Sequence, residues 1–245
     1  MKDVPPNRRP HAALDLSVRY RKGRKIERLL ALPASDRPRR LLEVGTGAGG
    51  ISAYFANHPS GQFEVEAVDV VDSRQVVDGY RFTLVDGAEL PFNDETFDVV
   101  ISNHVIEHVG NGDEQARHLS ELRRVMRPQA IGYLAMPNRW MLVEPHYGLA
   151  LLSWWPESWR SSWLRLWRRG DEYDCRPLSC RELERNLAAT GLQFQQLHAD
   201  ALRATFEIDS PDSLLWKCAL KFVPDYAWSR LRRAIPTLIY RLRRQ

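Results

Sequence analysis

Four glycines crowd into the six residues Gly45-Thr46-Gly47-Ala48-Gly49-Gly50, between the apolar run Arg40-Leu41-Leu42-Glu43-Val44 and a helix-like segment over 51–57. Glycines between a buried strand and a helix let a ligand approach the backbone where any Cβ would collide. Gly45, Gly47 and Gly50 fit the G-x-G-x-x-G of dinucleotide sites, and Gly45, Gly47 and Gly49 fit equally the G-x-G-x-G of a methyl-donor loop. Asp69 closes the next apolar run, nineteen residues beyond Gly50, where an acid can hold ribose hydroxyls in either kind of enzyme. On these residues alone both readings stand, beside a purely structural tight turn.

The elements that must position the loop follow from the hydrophobic pattern. Residues 18–32 set Ile26, Leu29 and Leu30 among arginines and lysines, which predicts a basic helix, and Pro33 to Pro38 break it. Strands are predicted over 40–44, 63–70, 81–85, 97–103 and 130–136, with a helix over 114–126 before the last. This alternation predicts a parallel sheet covered on both faces. It stops after Pro137 and resumes where Ser179 and Glu182 form a capping box for a helix through Ala189, followed by strands over 192–197 and 237–242. The stretch 200–233 takes no assignment. The organisation read from this pattern is an N-terminal arm and basic helix (1–38), one domain (39–245), and an insertion within it (139–177).

The neighbouring residues separate the readings of the loop. Leu41-Leu42-Glu43-Val44-Gly45-Thr46-Gly47-Ala48-Gly49 resembles the first motif of class I S-adenosylmethionine-dependent methyltransferases. Val85-Asp86-Gly87-Ala88-Glu89-Leu90-Pro91-Phe92, Phe97-Asp98-Val99-Val100-Ile101-Ser102-Asn103 and Glu121-Leu122-Arg123-Arg124-Val125-Met126-Arg127-Pro128 are similar to the family's later motifs, in order and spacing. Together they cover about residues 39–138. Gln129-Ala130 departs from the family's usual two glycines, at the turn before the fifth strand and away from the donor. The resemblance implies an α/β fold with a doubly wound, mostly parallel seven-stranded sheet and an inserted helical lid, and S-adenosyl-L-methionine as cofactor. It implies that Glu43 organises the cationic methionine end beside Gly45, Gly47 and Gly49, and that Asp69 takes the ribose hydroxyls. It implies further that Asp86 accepts from the adenine amino group, that Gly87 and Ala88 flank the adenine, and that Asn103 lies near the methionyl part. The chemistry agrees, because this donor carries a sulfonium and an ammonium but no phosphate, and an acid directly before the loop suits a cation better than a pyrophosphate.

His104-Val105-Ile106-Glu107-His108 matches the H-x-x-E-H of a zinc-peptidase signature. That chemistry needs both histidines on one helix face, whereas the pentad follows a strong strand, so no metal is expected. His108 instead follows a strand whose C-terminal end faces a cleft, which makes it a candidate general base; His146 and Glu144 are rivals. A base is needed only for an acceptor that carries a proton, such as a hydroxyl. Helix packing for His108 and loop hydrogen bonding for His146 are the structural alternatives.

Pro137-Asn138-Arg139-Trp140, Glu144-Pro145-His146-Tyr147-Gly148-Leu149 and Trp155-Pro156 resemble a subgroup of these methyltransferases found among enzymes that build bacterial surface polysaccharides and lipid-linked glycans. The resemblance implies methylation of a small-molecule hydroxyl on a glycan or lipid-linked acceptor. A quinone or aromatic acceptor is the alternative enzyme reading, and a non-catalytic donor-fold protein acting as a binding partner is the alternative from another class. Six of the eight tryptophans fall in 139–177, and Trp155, Trp159, Trp163 and Trp167 recur every four residues along one helical stripe, with Arg160, Arg165, Arg168 and Arg169 around them. The stripe packs on the domain, rests in a membrane interface, or binds acceptor or a second copy; the three readings stay open. Arg241, Arg243 and Arg244 read as an extension of the basic side or as edge-strand charges.

Bulk composition narrows the class. A hydrophobic fraction of 44% and a charged fraction of 27% over 245 residues exclude a disordered or collagen-like chain. A net charge of +4 gives no nucleic-acid footprint, and none is expected as a partner. Without an apolar run of signal length at the start, and with Cys175, Cys180 and Cys218 lacking a C-x-x-C pair, the expectation is a cytoplasmic protein with free thiols, associated with the inner membrane face if the stripe is interfacial.

Overall fold

The computed structural model describes residues 16–210, 212–213, 222, 224 and 235–244. Most of the N-terminal arm, and Cys218, Trp216 and Trp228, lie outside the described residues. A seven-stranded sheet runs in the order β3-β2-β1-β4-β5-β9-β8, built from β1 (Arg39–Val44), β2 (Phe63–Asp69), β3 (Arg81–Leu84), β4 (Phe97–Asn103), β5 (Met126–Pro137), β8 (Leu192–Gln196) and β9 (Thr237–Arg244). β1 to β5 pair in parallel, and β9 runs antiparallel to both β5 and β8. The expected doubly wound, mostly parallel seven-stranded sheet is therefore the fold observed.

Alternation along the strands makes this a three-layer molecule. On one face Leu41, Val99, Ile101 and Tyr133 pack with Ile26, Leu29 and Leu30 of α1 (Leu16–Leu30) and Ile51 and Phe55 of α2 (Gly50–Ala56). On the other, Leu42, Val44, Val100 and Leu134 pack with Leu119, Leu122 and Val125 of α3 (Gly112–Val125) and Leu183 and Leu187 of α5 (Cys180–Ala189). Residues one apart thus serve opposite cores, which is why the central strands read as continuous apolar runs. Asn111 caps α3 and Ser179 caps α5, each with a glutamate three residues on completing a capping box. The sheet order reverses between β1 and β4, and the crevice outside the carboxyl ends of strands at such a switch point is where α/β sheets bind ligands.

Two expectations need correcting. β9 lies inside the sheet, so its arginines are not edge charges: Arg241 donates to the Leu29 carbonyl at the end of α1, and Arg244 donates to the Met126 carbonyl at 2.8 Å and pairs with Glu95. They fasten β9 to α1, β5 and the turn before β4. β5 also begins four residues before the predicted strand, with its register to β4 broken between Phe97 and Val99 and with Gln129 at φ +68°. The glycine missing at Gln129 is therefore replaced by a residue held in a left-handed conformation that glycine would adopt without cost.

His118 lies in α3 behind β4, fully buried, with its Nε2 3.1 Å from the Ser102 hydroxyl. Burial lowers its pKa to about 4. The unfolded chain binds this proton near pH 6.5 and the folded chain does not, so stability is present above that pH and falls as the pH drops towards 4. His118→Gln is expected to flatten that loss, by about 2 kcal/mol at pH 4.5, in urea unfolding compared at pH 7 and 4.5. An unchanged slope would show that another group governs acid sensitivity.

Candidate functional site

β1 delivers the chain into the glycine loop at the crevice. Gly45, Gly47 and Gly49 all adopt positive φ (+80°, +53° and +85°), and the loop folds back on β2 through Gly45 and Thr46 amides donating to the Val68 carbonyl. Asp69, at the end of β2, accepts from the Gly47 amide at 2.8 Å through one carboxylate oxygen and from the Val70 amide at 2.8 Å through the other. A carboxylate offers about four lone-pair positions, so two remain for a ligand.

Three of the glycines are also demanded by the protein's own packing. A Cβ on Gly45 would overlap Val105 Cγ2, one on Gly49 would overlap the Val76 carbonyl and the Tyr80 hydroxyl, and one on Gly50 would run into Arg19 Cβ. The loop is roofed by the segment after β2, where the Gln75 and Val76 amides donate to the Ala48 carbonyl. Gly87 is different: at φ +82° it has open space on its Cβ side, in the turn after β3.

Glu43 is 1% exposed and is bonded to the Ser52 hydroxyl in the first turn of α2. Burial pushes its pKa up to about 8, opposed by the Ser52 hydrogen bond and the nearby Arg19 charge. It is thus locked into the loop–helix junction. Asp86 is exposed, and Ala88 partly so, just beyond β3, where the Val85 amide donates to the Asp69 carbonyl. Asn103 ends β4, buried, and its side-chain oxygen has no hydrogen-bond partner among the described residues. A buried amide oxygen left unpaired carries a desolvation cost of about 1–3 kcal/mol that a donor on a ligand would relieve.

The H-x-x-E-H pentad does not form a helix face. His104 sits at φ +60° and only Ile106–His108 make a single 3-10 turn. Glu107 is completely buried; burial raises its pKa, but the hydrogen bond and charge of His104 (Nδ1–Oε1 3.4 Å) and the charge of His108 outweigh this and hold it lowered.

The insertion folds back over this turn. A hairpin of β6 (Val143–Glu144) and β7 (Leu149–Ala150) precedes α4 (Glu157–Leu166), with Tyr147, Leu149, Leu152 and Leu164 as a small core of its own. The return strand is tied down where the Arg176 amide donates to the Glu107 carbonyl at 2.7 Å and Gln115 donates to the Ile106 and Arg176 carbonyls. As a result His108, His146 and Cys175 meet: the two imidazoles lie edge to face with centroids 5.4 Å apart, and Cys175 Sγ is 3.8 Å from His108 Nδ1 and 3.5 Å from His146 Nδ1. Cys175 escaped sequence reasoning because nothing in its spacing links it to either histidine. Only the fold brings the three segments together.

The tryptophan stripe divides. Trp155 stacks on Trp159 at 5.9 Å and meets Trp163 at 5.1 Å, and Trp163 leans on the insertion's core. Trp159, Leu166 and Trp167 stay exposed, as do Trp140 and Trp154, which touch edge to face. Arg160 does not belong to the basic rim: it is buried, donates to the Trp155 carbonyl at 2.9 Å and lies over Tyr173. Among the described residues no helix is long and apolar enough to cross a membrane.

A family model described as "Methyltransferase domain" matches residues 15–197, three-quarters of the chain. The chain belongs to the methyltransferase-domain family. Among curated proteins, this chain is 34% identical over 106 residues to the phthiotriol/phenolphthiotriol dimycocerosates methyltransferase of Mycobacterium leprae (40% of this chain, 36% of that one). It is 27% identical over 100 residues to the ubiquinone/menaquinone biosynthesis C-methyltransferase of Idiomarina loihiensis (36% and 39%). These matches span under two-fifths of the relatives' own length. Among solved structures, a geranyl diphosphate methyltransferase in complex with SAM superposes with a TM-score of 0.55 at 17% identity, covering 92% of this chain and 85% of that one. At that identity the likeness is one of fold.

Proposed function

We propose that this methyltransferase moves a methyl group from S-adenosylmethionine to a hydroxyl of a glycan or lipid-linked small molecule. The observation that carries the donor half is the convergence, outside the carboxyl ends of β1 to β4, of a half-used carboxylate at Asp69, an exposed Asp86 beside open space at Gly87, and the unpartnered amide oxygen of Asn103. Those groups fit a nucleoside and an ammonium. Asp69 binds the ribose hydroxyls, Asp86 accepts from the adenine amino group beside Ala88, and Asn103 accepts from the methionyl ammonium. Glu43 serves from inside the junction, holding α2 against the loop that Gly45, Gly47 and Gly49 turn. The donor supplies a carbon already activated by its sulfonium, so the chain's main task is alignment of the acceptor.

On the acceptor side, His108 is the partly exposed member of its cluster, at 20%, and His146 is buried behind it against Glu144. The proton of an acceptor hydroxyl is handled there, by the cluster and not by one isolated histidine. A quinone or aromatic acceptor is the second reading, favoured by the named quinone relative. Both readings are tested by supplying methyl-labelled donor with lipid extracts, sugar nucleotides and quinones, and asking which pool gains label.

The insertion also supports contact with a membrane interface at the cytoplasmic face. Exposed indoles at Trp159 and Trp167, with Leu166 between and Arg165, Arg168 and Arg169 alongside, combine the groups that favour a headgroup layer and anionic lipid. The chain is expected to float with anionic liposomes, and Trp159→Ala with Trp167→Ala to reduce the bound fraction at least about tenfold. No flotation of the native chain, or equal flotation of the variant, contradicts this contact.

A further inference from the structure

The meeting of His108, His146 and Cys175 has a chemistry of its own. Their donor atoms all lie within 4.8 Å of one another, and His146 and Cys175 are buried. A tetrahedral zinc ion, with Zn–S about 2.3 Å and Zn–N about 2.0–2.1 Å, needs sulfur and nitrogen ligands about 3.5 Å apart. The two sulfur–nitrogen separations, 3.5 and 3.8 Å, already lie near that edge.

The surroundings favour an ion over a simple hydrogen-bonded thiol. Cys175 Sγ lies close to three polar atoms, the two ring nitrogens and Asp174 Oδ1 at 3.5 Å, so a thiol, two imidazoles and a carboxylate share one compact point. A thiolate and a neighbouring carboxylate would together balance a divalent charge. That carboxylate, Glu144, contacts the same His146 Nδ1 that faces Cys175 and is itself fixed by the Tyr147 amide at 2.8 Å, so its negative charge stands beside the nitrogen that an ion would take. Two imidazoles and one thiolate select zinc-like ions over magnesium or calcium, which prefer oxygen.

We propose that His108, His146 and Cys175 form a binding site for a zinc-class divalent ion, which pins the insertion to the turn after β4 and leaves a fourth position for a further ligand. Uptake replaces the Cys175 thiol proton, which leaves to solvent, and forms one metal–sulfur and two metal–nitrogen bonds with no change of oxidation state. An ion bound there would take ring nitrogens assigned above to proton handling, and would in the loaded protein offer an acceptor hydroxyl a Lewis acid in their place. Only that last consequence rests on the proposed methyl transfer.

The test is titration of the chelator-treated full chain with cobalt(II), followed by displacement with zinc. One cobalt per chain with a sulfur-to-cobalt charge-transfer band is expected, magnesium not competing. Cys175→Ser is expected to abolish the band, Cys180→Ser to retain it, and His146→Ala to weaken binding at least about 100-fold. Binding of S-adenosylhomocysteine by each variant reports that the fold is intact, and its failure in the native chain would count against the donor site and not the ion site. No cobalt uptake by the native chain, or a band that survives Cys175→Ser, overturns the proposal.

Discussion

Asp69→Ala is expected to weaken S-adenosylhomocysteine binding about 100-fold while leaving the chain folded. The carboxylate accepts from the Gly47 and Val70 amides, fixing the loop against β2, and its remaining lone pairs are left for the ribose of the proposed donor. Hydrogen bonds to a charged group contribute about 1.5–3 kcal/mol each, so losing the loop clamp and the ligand contact together reaches that figure. Asp69→Asn retains one acceptor oxygen and is expected to fall between, near tenfold. Calorimetry reads both. Affinity within threefold of the native value for the alanine variant would show that Asp69 braces the loop without touching the ligand.

Gly45→Ala is expected to be the more damaging change to the fold, by about 2–5 kcal/mol in urea unfolding. A left-handed residue with a Cβ costs about 1–2 kcal/mol. Overlap with Val105 Cγ2 adds about 1–3 kcal/mol, because a β-branched neighbour cannot swing aside freely. Gly87→Ala isolates the first contribution: it has the same sign of φ but open space beside it, so about 1–2 kcal/mol is expected there. Equal costs at the two positions would mean that packing against Val105 does not constrain the loop.

These two glycines also mark where the sequence informs and where it stops. A glycine at 45 is legible as a special backbone position, but whether a ligand or Val105 demands it depends on a side chain sixty residues away. The donor side is legible because its residues sit at strand ends, and strand ends follow from local hydrophobic runs: β4 occupies the predicted 97–103, and β1 and β2 differ from prediction by one residue. β5 starts earlier than its apolar run because the parallel ladder to β4 recruits Met126 before the irregularity at Gln129. The residues proposed for the acceptor side are harder for the opposite reason. His108, His146 and Cys175 come from three segments whose meeting is set by long-range bonds such as the Arg176 amide to the Glu107 carbonyl. The four-residue spacing predicts one helical stripe, but only Trp159 and Trp163 lie on α4, with Trp155 before it and Trp167 at its C-cap, and which of them pack depends on the small core beneath, so Trp163 and Trp167 have different fates.

The central claim, that this fold positions a sulfonium methyl for a lipid-linked or glycan hydroxyl, is tested most directly by transfer of label. The full chain is incubated with methyl-labelled S-adenosylmethionine and a lipid extract, and label is followed into the organic phase. The account predicts time-dependent incorporation as a methyl ether, lost in Asp69→Ala. Donor binding without transfer into any lipid, sugar or quinone pool would contradict it and leave a donor-binding protein that performs no methylation.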